Sequence, residues 1–498
     1  MIKRTKCTGN RFRYVLRVRS LLQTLPIVLL AVLVVGCARR TYPTRAPVEP
    51  IGSPAVVEEA TVAFRPITIA PPTVTTAAME SQTQSAAQTQ TQTQTYVVKS
   101  GDTLSSIARR YGCDVGSLIE VNGLADPNAL EVGRRLQIPS PDLEASSSDQ
   151  MLPDSEFVYG PAYVDFDVGA FSAKQGGYLA KHQERVDGKL LTGPEIVERS
   201  ARHYSVGPRM LLALLELRAG WLTNPYPSGK ALSHPMGRTG DGWGLLSRQL
   251  DWAANELNRG YYDWRGRGVT SFNWGDGSVT KYGPDLNAAS AGLQYFLSRR
   301  ASKGQWQTWV GEGPGSFTAT YRRLFGDPDQ YAIQPLLPAD MPSPTLVLPW
   351  AKGETWYLTS GPHGAWGSGS AWSAVDFVPD EGYLGCRPAA GWVTASAPGL
   401  VIYSQGGEVL IDLDGDGHEQ TGWVICHLHI ATKGRVPVGT YVRQGDRIGH
   451  PSCEGGMSDA SHLHIARKYN GEWIAADGPL PLVMSCLLYT SDAADDDT

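Results

Sequence analysis

The sequence predicts a multidomain chain: a small α+β module, an all-α middle domain and a mainly-β domain on the C-terminal side. Three observations carry this. At 498 residues the chain exceeds what one hydrophobic core organises. Its apolar period changes along its length, from none before residue 95, to helical spacing up to about residue 340, to strand alternation with Gly-rich turns beyond Met341. Its histidines are also concentrated, seven of the ten falling in residues 359–468.

Residues 1–36 hold seven cations (Lys3, Arg4, Lys6, Arg11, Arg13, Arg17, Arg19), no acid, and an apolar run from Ile27 to Val35. This reads as a secretory signal, since the run is too short for a comfortable membrane span. Val-Val-Gly-Cys at its end resembles a bacterial lipobox, which implies lipidation of Cys37 and a membrane anchor on an exported protein. An uncleaved anchor and a soluble export signal are the alternatives. The formal charge is −5, and removing those cations leaves a more acidic chain, which excludes nucleic acid as partner. Seven cysteines are too few for a disulfide scaffold. Cys426 reads as a buried strand thiol. Cys386 and Cys453 flank the histidine clusters and can bridge, but the pairing is not fixed by sequence.

From residue 37 to 95 the chain is Pro, Thr, Ala, Ser and Gln, ending in QTQTQTQT, and reads as a disordered tether. Residues 96–140 are compact: a short strand, a turn at Ser100-Gly101-Asp102, then Leu104, Ile107, Ala108 and Tyr111 at helical spacing. A second helix with Val115, Leu118 and Ile119 follows, and Leu136-Gln137-Ile138-Pro139 closes as an edge strand. YVVKSGDTLSSIARRYG, VNGL and LQIP together resemble a LysM module. The resemblance implies a βααβ fold that binds N-acetylglucosamine-containing glycans, with Gly101, Asp102, Thr103, Asn122 and Leu124 as glycan-binding positions.

Residues 141–186 lack patterning and read as an irregular linker. From 187 to 340 the pattern is helical: Thr192 caps a helix with Pro194 in its first turn, and Pro208 opens a helix apolar on most sides, Met210 to Leu215. This stretch resembles the lysozyme-like fold of lytic transglycosylases. Arg218 stands where that family's catalytic Glu is expected, and Glu216 points elsewhere on the helix, so the domain reads as non-catalytic. Its many tryptophans fit core packing more often than sugar platforms.

In residues 341–485 the histidines form three clusters, around His363 and Asp376, around His427 and His429, and around His462 and His464. Zinc in hydrolases takes three His/Asp/Glu ligands and keeps a position for water. Within a strand, residues i and i+2 share a face, so each His-x-His is expected to project two imidazoles into one groove. Asp412, Asp414 and Asp416 imitate the start of a calcium loop but lack its later Glu, and read as a hairpin tip. His418 and His450 read as surface or loop residues.

These motifs resemble the zinc endopeptidases of the lysostaphin and β-lytic type, which cut peptide cross-links of bacterial cell walls. His363, Gly367-Ser368-Gly369, Asp376 and Phe377 match the β-lytic spacing of first ligand, loop and second ligand. The resemblance implies a mainly-β peptidase domain with His363, Asp376 and His464 as ligands of Zn2+, and His429 and His462 as catalytic. His427 stands where the family has Tyr in G-Y-x-x-x-Y-x-H, and remains the alternative to His429. No Glu base of the H-E-x-x-H kind is present. Residues 486–498 resemble a translated sequencing adapter.

The expectation is an exported, lipid-anchored zinc endopeptidase of the cell envelope acting on peptidoglycan. A catalytically silent wall-binding regulator and a glycan-cleaving lysozyme-like enzyme are the rivals.

Overall fold

In a computed structural model of the chain, the described residues are 94–99, 104, 107, 111, 118–119, 121–124, 131–138, 150–283, 285–485 and 487–488. The signal segment and Cys37 lie outside them, as do all but the last two residues of the tether, together with Gly101, Asp102 and Thr103.

In the N-terminal module, β1 (Gln94–Val97) and β2 (Arg135–Ile138) pair antiparallel with Tyr96 opposite Leu136. Leu104, Ile107, Leu118 and Leu124 close a small core against them.

The stretch expected as an irregular linker carries structure from residue 150 onward. It contains α1 (Asp154–Phe157), α2 (Val168–Gln175) and β3 (Gln183–Val186), which forms a hairpin with β4 (Lys189–Thr192) just beyond it. These pieces are too short to show a helical period, which is why the sequence reads as unpatterned. The middle region then continues through α3 (Gly193–Tyr204), α4 (Pro208–Ala219), α5 (Gly229–Ser233) and α6 (Leu246–Arg267). A second hairpin, β5 (Ser271–Asn273) with β6 (Val279–Lys281), precedes α7 (Ala288–Ser298), α8 (Lys303–Val310) and α9 (Phe317–Phe325). The region is therefore mainly helical with two hairpins, not all-α. Thr192 caps α3 through a reciprocal capping box with Glu195. In α4, Met210 to Leu215 are all fully buried, as its all-round apolar character requires.

The C-terminal region is built on one mixed-length sheet. Its strands are β7 (Trp356–His363), β8 (Ala374–Pro379), β10 (Gly399–Gln405), β11 (Glu408–Asp412), β12 (Trp423–Leu428), β13 (Tyr441–Val442), β15 (Leu463–Tyr469) and β16 (Glu472–Trp473). The order is β13-β10-β11-β12-β15-β8-β7, with β16 on β15. Small ladders join β9 (Val393–Thr394) to β14 (Arg447–Gly449), and β17 (Val483–Met484) to β18 (Leu487–Leu488). The hairpin expected at Asp412 is present, between β11 and β12.

Both faces of this sheet are covered. On one, Val375, Phe377, Val409, Ile425 and Ile465 belong to the sheet's own core. On the other, Ala374, Leu410, Cys426 and Ala466 join the same core as the helices. The helix-facing positions are mostly small, which lets the helices approach closely. The middle region thus packs directly against the sheet and shares a core with it. Its contact with the sheet is sealed by Arg202 Nη1 on Glu408 Oε2 at 2.9 Å, and by the Tyr262 hydroxyl accepting from Trp473 N at 3.1 Å. Cys386 and Cys453 are bridged. Closing a loop of 67 residues restrains the unfolded chain by about 4 kcal/mol in the chain-entropy account.

Candidate metal centre

The three ligand candidates meet because of strand register. Asp376 on β8 lies directly opposite His464 on β15, so their side chains share a face. His363 ends β7, beside β8. His363 Nε2, His464 Nδ1 and Asp376 Oδ1 are mutually 3.0, 3.2 and 3.3 Å apart. With zinc bonds of about 2.0–2.1 Å, the edges of a tetrahedral site are about 3.3 Å, so the three atoms fit that ion. Asp376 Oδ1 is buried without a well-aligned hydrogen bond, as expected of an atom reserved for another partner. His464 Nε2 lies 3.0 Å from the Ala365 carbonyl. That contact places the proton on Nε2 and leaves the Nδ1 lone pair free for a metal. Burial works to raise the Asp376 carboxyl, but the adjoining His363 and His464 imidazoles outweigh it and hold the group well below the usual carboxylate range.

The two His-x-His motifs do not behave alike. His462 and His464 both face the cleft that holds the three ligand atoms. His427 does not. It is registered between Val409 and Ile465, on the face of the sheet's own core, and is fully buried. β12 ends at Leu428, and His429 takes a left-handed backbone, φ 64°, so alternation stops before it. The expectation that this motif projects two imidazoles into one groove therefore fails, and only His429 reaches the cleft.

His429 and His462 lie with ring centroids 4.3 Å apart. His429 Nδ1 is 3.1 Å from the Glu454 carbonyl, and His462 Nδ1 is 2.9 Å from the Ala460 carbonyl. Both contacts assign the proton to Nδ1 and turn a basic Nε2 outward. Burial, with the neighbouring His462 and His464, pushes His429 down to about 4, so it is a neutral base at neutral pH. Such a pair beside three ligand atoms can exchange protons with a polarised water and its target.

The cleft encloses about 1830 Å³. Its opposite wall comes from the helical region, including Glu198, Arg202, His203 and Tyr204 of α3 and Asp251 of α6. Sequence reasoning missed this wall, and also the Ala365, Glu454 and Ala460 carbonyls, because backbone acceptors leave no residue-type signal.

The other candidates have different surroundings. Glu216 is saturated: its carboxylate accepts from the Leu222 and Thr223 amides, the Thr223 hydroxyl and Arg323. Arg218 is packed over the Trp309 ring. Asn122 bridges the module internally, its side chain pairing both ways with the Gln137 backbone, and Leu124 is a core residue. Asp412 is consumed in capping its own loop, accepting from Asp414, Gly415 and Gly417. His418 is exposed, and His450 packs on Trp392 away from the cleft.

The chain is similar to several known proteins. The family described as LasA, N-terminal domain, matches residues 150–339, and the LysM domain family matches residues 96–139. The first match begins where the helical region is observed to begin, not at residue 187. Protease LasA of Pseudomonas aeruginosa (strain UCBPP-PA14) is 29% identical over 366 residues, which is 69% of this chain and 78% of LasA. The N-acetylmuramoyl-L-alanine amidase XlyA of Bacillus subtilis (strain 168) is 47% identical over 59 residues, 12% of this chain and 20% of XlyA. Among solved structures, the M23 metalloprotease pseudoalterin, described as from the deep sea, is 26% identical. It covers 27% of this chain and 76% of its own, with a TM-score of 0.23.

Proposed function

We propose that the chain, which is similar to Protease LasA and matches the LasA N-terminal and LysM domain families, is a zinc-dependent endopeptidase of the lysostaphin and β-lytic type hydrolysing the peptide cross-links of bacterial peptidoglycan. The observation that carries the reading is the convergence of His363 Nε2, Asp376 Oδ1 and His464 Nδ1 within 3.3 Å on the wall of an open cleft.

Zinc bound there supplies Lewis-acid polarisation of a carbonyl and brings the pKa of a water to about 7. The chain's own residues do the rest. His429 Nε2, neutral at neutral pH, accepts a proton from the attacking water. His462 Nε2 lies 3.8 Å from Asp376 Oδ2, beyond hydrogen-bond range, so it is free to meet the developing oxyanion or the leaving amine. Asp376, held ionised, keeps the charge balance of the ligand set. The opposed helical wall narrows the cleft around an extended peptide and limits water.

The LysM module holds the enzyme on wall glycan, and Cys37 at the end of the apolar run is the proposed lipid anchor that fixes it to the envelope. Glycan cleavage by the helical region is the weaker reading, because Glu216 is fully engaged and Arg218 is half-buried with its guanidinium over aromatic rings. Mass analysis of peptidoglycan digested by the full chain tests the proposal. New peptide amino and carboxyl ends are expected, lost on chelation and restored by zinc. New reducing sugar ends would sink it.

A further inference from the structure

The segment joining β7 to β8, residues 364–373, touches every part of the ligand set. His363 precedes it, Asp376 follows it, and its Ala365 carbonyl is the atom that orients His464. Yet its tip is held from outside the sheet, by the helical region. Asn255 Oδ1 on α6 accepts from Gly369 N at 2.9 Å, and Arg259 Nη2, one turn on, donates to Ser368 Oγ at 2.9 Å. The Trp366 indole stacks on the His203 imidazole of α3, centroids 4.3 Å apart and planes 22° apart.

The close approach explains the two glycines of Gly367-Ser368-Gly369. A Cβ on Gly369 would stand 1.9 Å from the Asn255 carbonyl oxygen, so only glycine lets the loop reach the helix. Gly367 has φ +69°, and a Cβ there would meet Asn255 Oδ1 at 2.7 Å. A loop with this much glycine has many conformations when free. Fixing its tip confines both the ligand and the orienting carbonyl.

Resting on the zinc reading above, we propose that Asn255, assisted by Arg259, is a positioning residue for the metal centre: the helical region preorganises the ligand loop through the Gly369 amide. Neither residue contacts a ligand atom. Their effect passes through the loop to His363 and the Ala365 carbonyl, the kind of outer partner whose loss costs metal affinity.

The test is zinc competition against a chromophoric chelator on the full chain, with the cobalt-substituted absorption spectrum as a second readout of ligand geometry. Asn255→Ala is expected to weaken zinc binding about 10-fold and alter the cobalt spectrum, with the thermal midpoint of the metal-free chain little changed. Asn255→Asp keeps the acceptor for Gly369 N and should restore both. Ser368→Ala removes only the Arg259 contact at the exposed rim, so it folds in any case, and a smaller loss of about threefold is expected. Wild-type affinity in both Asn255→Ala and Ser368→Ala overturns the proposal, as does an Asn255→Asp variant as weak as Asn255→Ala. A wild-type chain that takes up no zinc would overturn the metal reading and this inference together. Wild-type uptake abolished by His464→Ala but indifferent to Asn255 would overturn this inference alone.

Discussion

His427-Leu428-His429 and His462-Leu463-His464 have the same spacing and the same apolar residue between the imidazoles, yet they end in different places. In the second motif both histidines reach the cleft. In the first, His427 is committed to the core on the far face, while His429 reaches the cleft only because the strand has stopped and its backbone has turned left-handed. Period-two reasoning holds at the start of β15, where His462 still bridges Ser452, and fails past the end of β12, where the backbone turns left-handed. A histidine in the left-handed region is uncommon and carries a modest strain, and here that conformation turns the His429 ring into the cleft.

The largest effect that sharpens this contrast is expected at His464. His464→Ala removes a ligand, so zinc should fall from about one per chain to near zero and peptide hydrolysis with it. Metal analysis beside a rate measurement checks this. His429→Ala should retain zinc and lose about 10²-fold or more in turnover. Retained turnover in that variant would move the catalytic role off β12's end.

His427 offers the opposite test. His427→Leu conserves an apolar environment, so turnover should stay within about twofold and stability within about 1.5 kcal/mol at neutral pH. Burial, opposed by the Val409 backbone, pushes His427 down to about 4, against about 6.5 in an unfolded chain. Between those values the unfolded state binds more protons. Stability is therefore whole above about pH 6.5 and declines as pH falls toward 4, by up to about 3 kcal/mol from this group. Denaturant melts of His427→Leu should show a shallower acid decline than the wild type. An unchanged slope would mean that His427 is not a buried neutral base.

The smallest effect on chemistry is expected far from both motifs. Deleting residues 96–140 should reduce sedimentation with intact peptidoglycan and slow its digestion, through lost effective concentration. Cleavage of a short soluble peptide should stay within about twofold. A large loss on the soluble peptide would show that the module supports the cleft.

Much of this arrangement could be read from residue types. The Thr192 cap, the Pro208 helix start and the hairpin at Asp412 each follow from a local rule that the fold obeys. The ligand candidates were legible because His and Asp at these spacings are hard to explain otherwise. What escaped was non-local. Small residues such as Ala374, Cys426 and Ala466 gave no sign that a helical layer covers them, so the core shared by the middle region and the sheet was not legible. The turns at 150–186 were too short to show a period. The left-handed His429 depends on where β12 stops pairing, and nothing in its side chain announces that. Asn255 lies more than a hundred residues before the loop it holds, and only the fold brings them together.

The most direct test of the central claim is an anomalous-scattering map of the zinc-loaded full chain. The account predicts one peak about 2.0–2.2 Å from His363 Nε2, Asp376 Oδ1 and His464 Nδ1, with His429 and His462 beside it but unligated and His427 buried across the sheet. A peak coordinated by His427 or His429, or one at Asp412, Asp414 and Asp416 with the three-ligand site empty, would contradict it.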